Sequence, residues 1–72
     1  MGRNPTLTEE NVMQNEETKA YVGTYEDKIA VFAGNVNSEY FGSVQTFHPA
    51  TGENWQSVEQ ATNWAKEFYN FN

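Results

Sequence analysis

Every aromatic side chain in this chain lies after Ala20, and none lies among residues 1–19. Two tryptophans, four tyrosines and five phenylalanines therefore crowd into residues 20–72. Rings of this kind bury about 150–250 Å² each and dominate small cores. A folded unit is thus expected over residues 20–72, where the apolar material is. The chain of 72 residues supports one domain at most, and it has no cysteine to staple a small core or to ligate a metal. Beyond the initial Met1, residues 1–19 offer only Leu7, Val12 and Met13 as sizeable apolar side chains, scattered among Asn, Thr, Glu and Gln. That content does not offset the entropy of ordering the backbone, so a flexible acidic and polar arm is expected there. A sharper reading of the same stretch is an arm that orders on a partner, with those three residues as anchors.

Within residues 20–72 the pattern predicts a three-stranded antiparallel meander followed by one helix, a β-β-β-α arrangement in the α+β class. The first strand runs from Ala20 to Tyr25, and Glu26-Asp27 makes a tight turn. Ile29 to Ala33 is short, apolar and β-branched, which fits a central strand. Gly34-Asn35 and Asn37-Ser38 supply turn chemistry, because Gly and Asn tolerate positive φ and Asn or Ser bonds its own backbone. Tyr40 to Phe47 alternates, with Phe41, Ser43, Gln45 and Phe47 on one face and Tyr40, Gly42, Val44 and Thr46 on the other. Pro49 ends that strand, since proline cannot donate to a ladder.

The helix begins at a capping signature. Ser57 stands where an N-cap belongs, and Gln60 follows at the capping-box spacing. At 100° per residue Val58, Ala61, Trp64, Ala65, Phe68 and Tyr69 share one arc, and Glu59, Gln60, Asn63, Lys66, Glu67 and Asn70 take the other. The expected helix-packing core is therefore Trp55, Val58, Ala61, Trp64, Ala65 and Phe68. One helix covers one face of a three-stranded sheet. The aromatics of the other face are left for a partner, and Tyr21, Tyr25, Tyr40 and Phe41 are the candidate partner-binding residues. The first strand has no proline and few charges, so its edge is open to strand addition or to pairing between two copies of the chain as a homodimer.

Charge and chemistry narrow the function further. The formal net charge is −6, with no basic patch in either part of the chain, so direct contact with nucleic-acid phosphates or with anionic membranes is disfavoured. No apolar run approaches the roughly 20 residues that span a bilayer, and Met1 to Thr8 lacks a signal-peptide pattern. A soluble protein of the cell interior, or a component of a larger particle, is expected. The single histidine, His48, precedes Pro49 in a turn and reads as a strand-end polar residue. No nucleophile–base–acid set, metal spacing or phosphate-cradling glycine loop is present, so neither catalysis nor a cofactor is expected.

The segment His48-Pro49-Ala50-Thr51-Gly52-Glu53-Asn54-Trp55-Gln56-Ser57, continued by Ala61 and Trp64-Ala65, resembles a corner in small phage-encoded proteins of unassigned function. In these a Pro-x-Thr-Gly-Glu turn leads through a tryptophan and a capping serine into an alanine-rich helix carrying Trp-Ala. The resemblance covers residues 48–65 and brings no catalytic motif. It implies a viral protein, located in the host cytoplasm or on the virion. The expectation that follows is a non-enzymatic protein-interaction module, a phage structural or accessory protein binding through an exposed aromatic sheet face or edge. Two alternatives accompany it. One is a phage-encoded inhibitor of a host protein, acting through its acidic surface as a nucleic-acid mimic. The other is a small carbohydrate-binding module using Trp55, Tyr40 or Tyr25 as stacking platforms.

Overall fold

A two-residue reversal at Glu26 and Asp27 organises the sheet. The computed structural model describes residues 12–71, and in it both turn residues are left-handed, with φ of 53° and 67°. Successive positive φ values mark the turn whose twist matches paired strands. It joins β2 (Thr18–Tyr25) to β3 (Lys28–Asn35) over eight residue pairs without a bulge. Two further strands flank this hairpin, β1 (Met13–Gln14) beside β2 and β4 (Ser43–Gln45) beside β3. All neighbours are antiparallel, so the order β1-β2-β3-β4 is a meander. The C-terminal helix α1 (Val58–Tyr69) completes an α+β unit.

The sheet has four strands where three were expected, and it starts before residue 20. The polar residues that hide β1 in the sequence are the ones that build it. Asn15 Oδ1 accepts the N–H groups of Glu17 and Thr18, each at 2.8 Å, and closes the β1–β2 turn. Asn15 Nδ2 donates to the Tyr69 carbonyl at 2.8 Å and ties that hairpin to the end of the helix. Met13 packs into the core beside Ala20. The arm expected over 1–19 is thus replaced by sheet from residue 13, and residues 1–11, with Leu7, lie outside the described residues.

The last strand is shorter than expected. Only Ser43–Gln45 pairs with β3. Residues 40–42 instead cross over Gly34, and a Cβ at position 34 would stand 2.7 Å from the Tyr40 carbonyl oxygen and 3.0 Å from Phe41 Cα. Glycine is required there by the closeness of a second backbone. The crossing breaks the two-residue alternation, so Phe41 joins the face of Val44 instead of the face of Ser43.

The helix lies on the sheet face made by Ala20, Val22, Ile29, Val31 and Ala33. Ala61 and Ala65 are its fully buried residues, so helix and sheet meet through small side chains. Trp55, Tyr69 and Phe71 close the rim around them. Ser57 caps the helix, its Oγ accepting the Gln60 N–H at 3.0 Å. Gln60 Oε1 reaches back to the Gln56 N–H at 2.7 Å, one residue before the position a capping box uses. At the other end Asn70 is left-handed and the Phe71 N–H donates to the Lys66 carbonyl at 2.9 Å, which swings Phe71 under the sheet-facing side.

Two residues assigned to the helix-packing core are not in it. Val58 is 56 % exposed and Phe68 is 62 % exposed. Both share the angular arc of Ala61 and Ala65 but sit in the first and last turns, and the helix meets the sheet through its middle. Phe68 instead stacks on half-buried Trp64, with ring centroids 4.8 Å apart.

Candidate interaction surface

The face of the sheet away from the helix alternates with the buried one. It takes Lys19, Tyr21, Gly23 and Tyr25 from β2, Lys28, Ala30, Phe32 and Gly34 from β3, and Val44 from β4. Tyr21 and Phe32 are direct cross-strand partners whose rings stack nearly parallel at 4.8 Å. Phe41 meets Tyr21 edge-on at 4.8 Å, and Tyr25 meets Phe32 edge-on at 6.3 Å. Aromatic pairs of this geometry add about 0.5–1.5 kcal/mol each beyond area burial.

The crossing segment closes one end of this face and leaves the other open. Lys19 Nζ donates to the Ser38 carbonyl and lies 4.6 Å from the centre of the Phe41 ring, so one lysine fastens both the loop and its aromatic cover. Tyr21 is buried as a result, and Phe41 is half-buried. Of the four candidate partner-binding residues, Tyr25 and Tyr40 remain accessible, at 44 % and 73 % exposure, and Tyr21 does not. Val44, absent from the expected set, is 41 % exposed on the same face. Its neighbours in sequence are polar, and only the register reveals that it lies beside Phe32.

Strand edges are the second feature of this surface. Hydrogen-bonding direction alternates along an antiparallel strand. The Asn15 N–H donates to the Thr18 carbonyl and the Val36 N–H to the Glu17 carbonyl, which fixes the phase. Odd-numbered residues of β2 bond to β3, while Thr18, Ala20, Val22 and Thr24 point the other way. β1 takes up Thr18 and Ala20. Among the described residues nothing pairs with the backbone of Val22 or Thr24. The β4 edge is better guarded. The Trp55 indole N–H donates to the Gln45 carbonyl at 3.0 Å and the Trp55 backbone N–H to the Thr46 carbonyl at 3.4 Å, with a bridge from Phe47 to Asn54 beyond.

His48 and Trp55 are engaged in the fold. His48 Nδ1 accepts the Ala50 N–H at 3.0 Å, and its ring lies 5.3 Å from Trp55. Trp55 is 5 % exposed and its indole is already bonded, so it offers no platform for a sugar. Glu16-Glu17 and Glu26-Asp27 occupy turns at opposite ends of β2, roughly 30 Å apart at about 3.3 Å per residue. Among the described residues no group of three His, Cys, Asp or Glu side chains is placed to hold a metal ion. No described helix is long and apolar enough to cross a membrane.

Comparison with protein-family models, with curated proteins and with solved structures yields no match.

Proposed function

We propose that this chain is a non-enzymatic protein-interaction module that engages its partner through the open sheet face. The observation that carries the proposal is the half-covered aromatic surface. Buried Tyr21 and half-buried Phe32 form a stacked base, Tyr25 and Val44 add accessible apolar area beside it, and exposed Tyr40 lies on the segment that crosses over Gly34. Rigid aromatic side chains on a preorganised base are the residue types that anchor protein interfaces. The strand positions of this face carry lysines and no carboxylate, although the chain as a whole is strongly acidic. A phage structural or accessory protein is the setting inferred from the corner at residues 48–65.

The test is capture of a partner from source-cell lysate by tagged wild type and by a Tyr25→Ser/Tyr40→Ser/Val44→Thr variant, with nuclease present. All three residues are exposed, so the variant should keep its circular dichroism spectrum. A protein retained by wild type and lost by the folded variant is the expected result. Equal retention by both would place the interface elsewhere.

A further inference from the structure

We infer that a polar groove at one end of the sheet, beside the last turn of the helix, is a binding site for a neutral saccharide. It lies on the helix-facing side. Under the helix that side carries Ala20, Val22, Val31 and Ala33. One row further on it presents Thr18 and Asn35, which are direct cross-strand partners, and β4 adds Ser43 opposite Ala33. An alternation that calls for apolar side chains thus yields hydrogen-bonding ones next to the core, a departure expected where a site is built.

The groove has a volume of about 640 Å³, within the roughly 300–1,000 Å³ of small-molecule sites. Tyr69 stands on its helix side, and the Glu16-Glu17 turn and Asn37 form its polar rims. Both rims are held in place. The Glu17 and Asn37 N–H groups donate to the side-chain oxygens of Asn15 and Asn35, each at 2.8 Å. The Val36 N–H donates to the Glu17 carbonyl at 2.9 Å and ties one rim to the other. These bonds engage Glu17 and Asn37 through the backbone, so their side chains serve a ligand from a preorganised frame. β1 runs antiparallel to β2 and enters the Glu16-Glu17 turn from the opposite end of the sheet, away from the groove.

Chemistry selects the occupant. Two glutamates and no cationic side chain line the groove, so an anion is repelled. Among the described residues no group of three His, Cys, Asp or Glu side chains is placed to hold a metal ion. An apolar molecule would bury little surface in so open a groove. A neutral ligand dense in hydroxyls fits. Carboxylates accept from hydroxyls, the Asn37 amide both donates and accepts, and Tyr69 supplies an aromatic flank. A saccharide also keeps its outward hydroxyls in water, which an open groove allows. The site uses none of Tyr25, Tyr40 and Val44, so it goes beyond the protein-interaction reading and neither depends on the other.

Titration of the full chain, followed by amide chemical shifts in NMR, tests the assignment. The probes are three neutral disaccharides, maltose, lactose and chitobiose, with spermidine and calcium chloride as cationic comparisons. One disaccharide should shift the Thr18, Gly34, Asn37 and Ser43 amides saturably and leave those of Tyr25 and Lys28 unmoved. Glu17→Ala with Asn37→Ala removes two exposed side chains and keeps the backbone bonds. The double variant should therefore fold, and bind the sugar roughly tenfold more weakly.

Three results would overturn the inference. No saturable shift with any of the three disaccharides would mean that the groove takes no saccharide. Saturation of the same amides by spermidine or calcium, and by no sugar, would make it a cation site. Unchanged sugar affinity in the folded double variant would place the ligand elsewhere. None of these touches the face reading, which is decided by the Tyr25/Tyr40/Val44 variant.

Discussion

Replacing Gly34 with alanine should destabilise the fold, and the same change at Gly42 should stabilise it. An ideal Cβ at position 34 meets the Tyr40 carbonyl oxygen at 2.7 Å, Phe41 Cα at 3.0 Å and the Gly42 nitrogen at 3.1 Å. All three are backbone atoms, so no rotamer change relieves the contact. Gly34 is not among the residues with positive φ, so alanine meets no conformational penalty there. By chain entropy alone it would gain about 0.4–1 kcal/mol. Overpacking against fixed atoms costs about 1–3 kcal/mol. The net is a loss of roughly 1–2 kcal/mol, or a Tm lower by about 5–15 °C at the scale of about 4–8 °C per kcal/mol. Gly42 also has ordinary φ, and a Cβ there meets nothing within 4 Å. Only the entropic gain applies, so Gly42→Ala should raise Tm by a few degrees. Thermal and urea unfolding followed by circular dichroism measure both. Shifts of the same sign in the two variants would refute the close crossing of residues 40–42 over the sheet.

Three further outcomes follow from the geometry. Glu26→Asn with Asp27→Gly should stabilise the hairpin by about 1 kcal/mol, since both positions are left-handed and the wild-type residues carry that strain; an unchanged urea midpoint would contradict the assigned turn. Trp55→Phe should cost about 2 kcal/mol by losing the indole bond to Gln45 and opening a void beside Val31, Ala61 and Ala65, and Trp64→Phe should cost less. Burial raises the Tyr69 phenol above its ordinary pKa of 10.0, so the unfolded chain ionises first. The stabilisation is full below that value and is lost as pH rises through the folded one; urea midpoints from about pH 9 to about pH 11 should therefore fall less steeply in Tyr69→Phe than in wild type.

Legibility in the sequence followed the size of the local signal. The helix, its cap and the β2–β3 turn were readable, because each depends on residues close together in the chain. β1 was not, since its stability comes from Asn15 bonding to Tyr69, 54 residues away. The wheel that placed Val58 and Phe68 in the core measures angle alone, and burial depends also on where along the axis the sheet lies. Phe71 was missed because it follows the periodic stretch and is carried inward by the left-handed Asn70. On the candidate surface Tyr25 and Tyr40 were identifiable as rings with no helix to cover them. The burial of Tyr21 was not foreseeable, because it depends on a loop whose path is set by Gly34.

Trp55 and Trp64 lie 5.5 Å apart, tilted by 49°, one beside β4 and the other on the helix. Indoles this near one another couple their transitions, so the chain carries its own optical gauge of whether the helix is seated. The gauge is local. The open face holds tyrosine and phenylalanine only, with both tryptophans on the other side of the sheet. Tyrosine emission would report a ligand docking on that face, and tryptophan emission would stay constant. A ligand that shifts the tryptophan signal has instead disturbed the corner that joins helix to sheet.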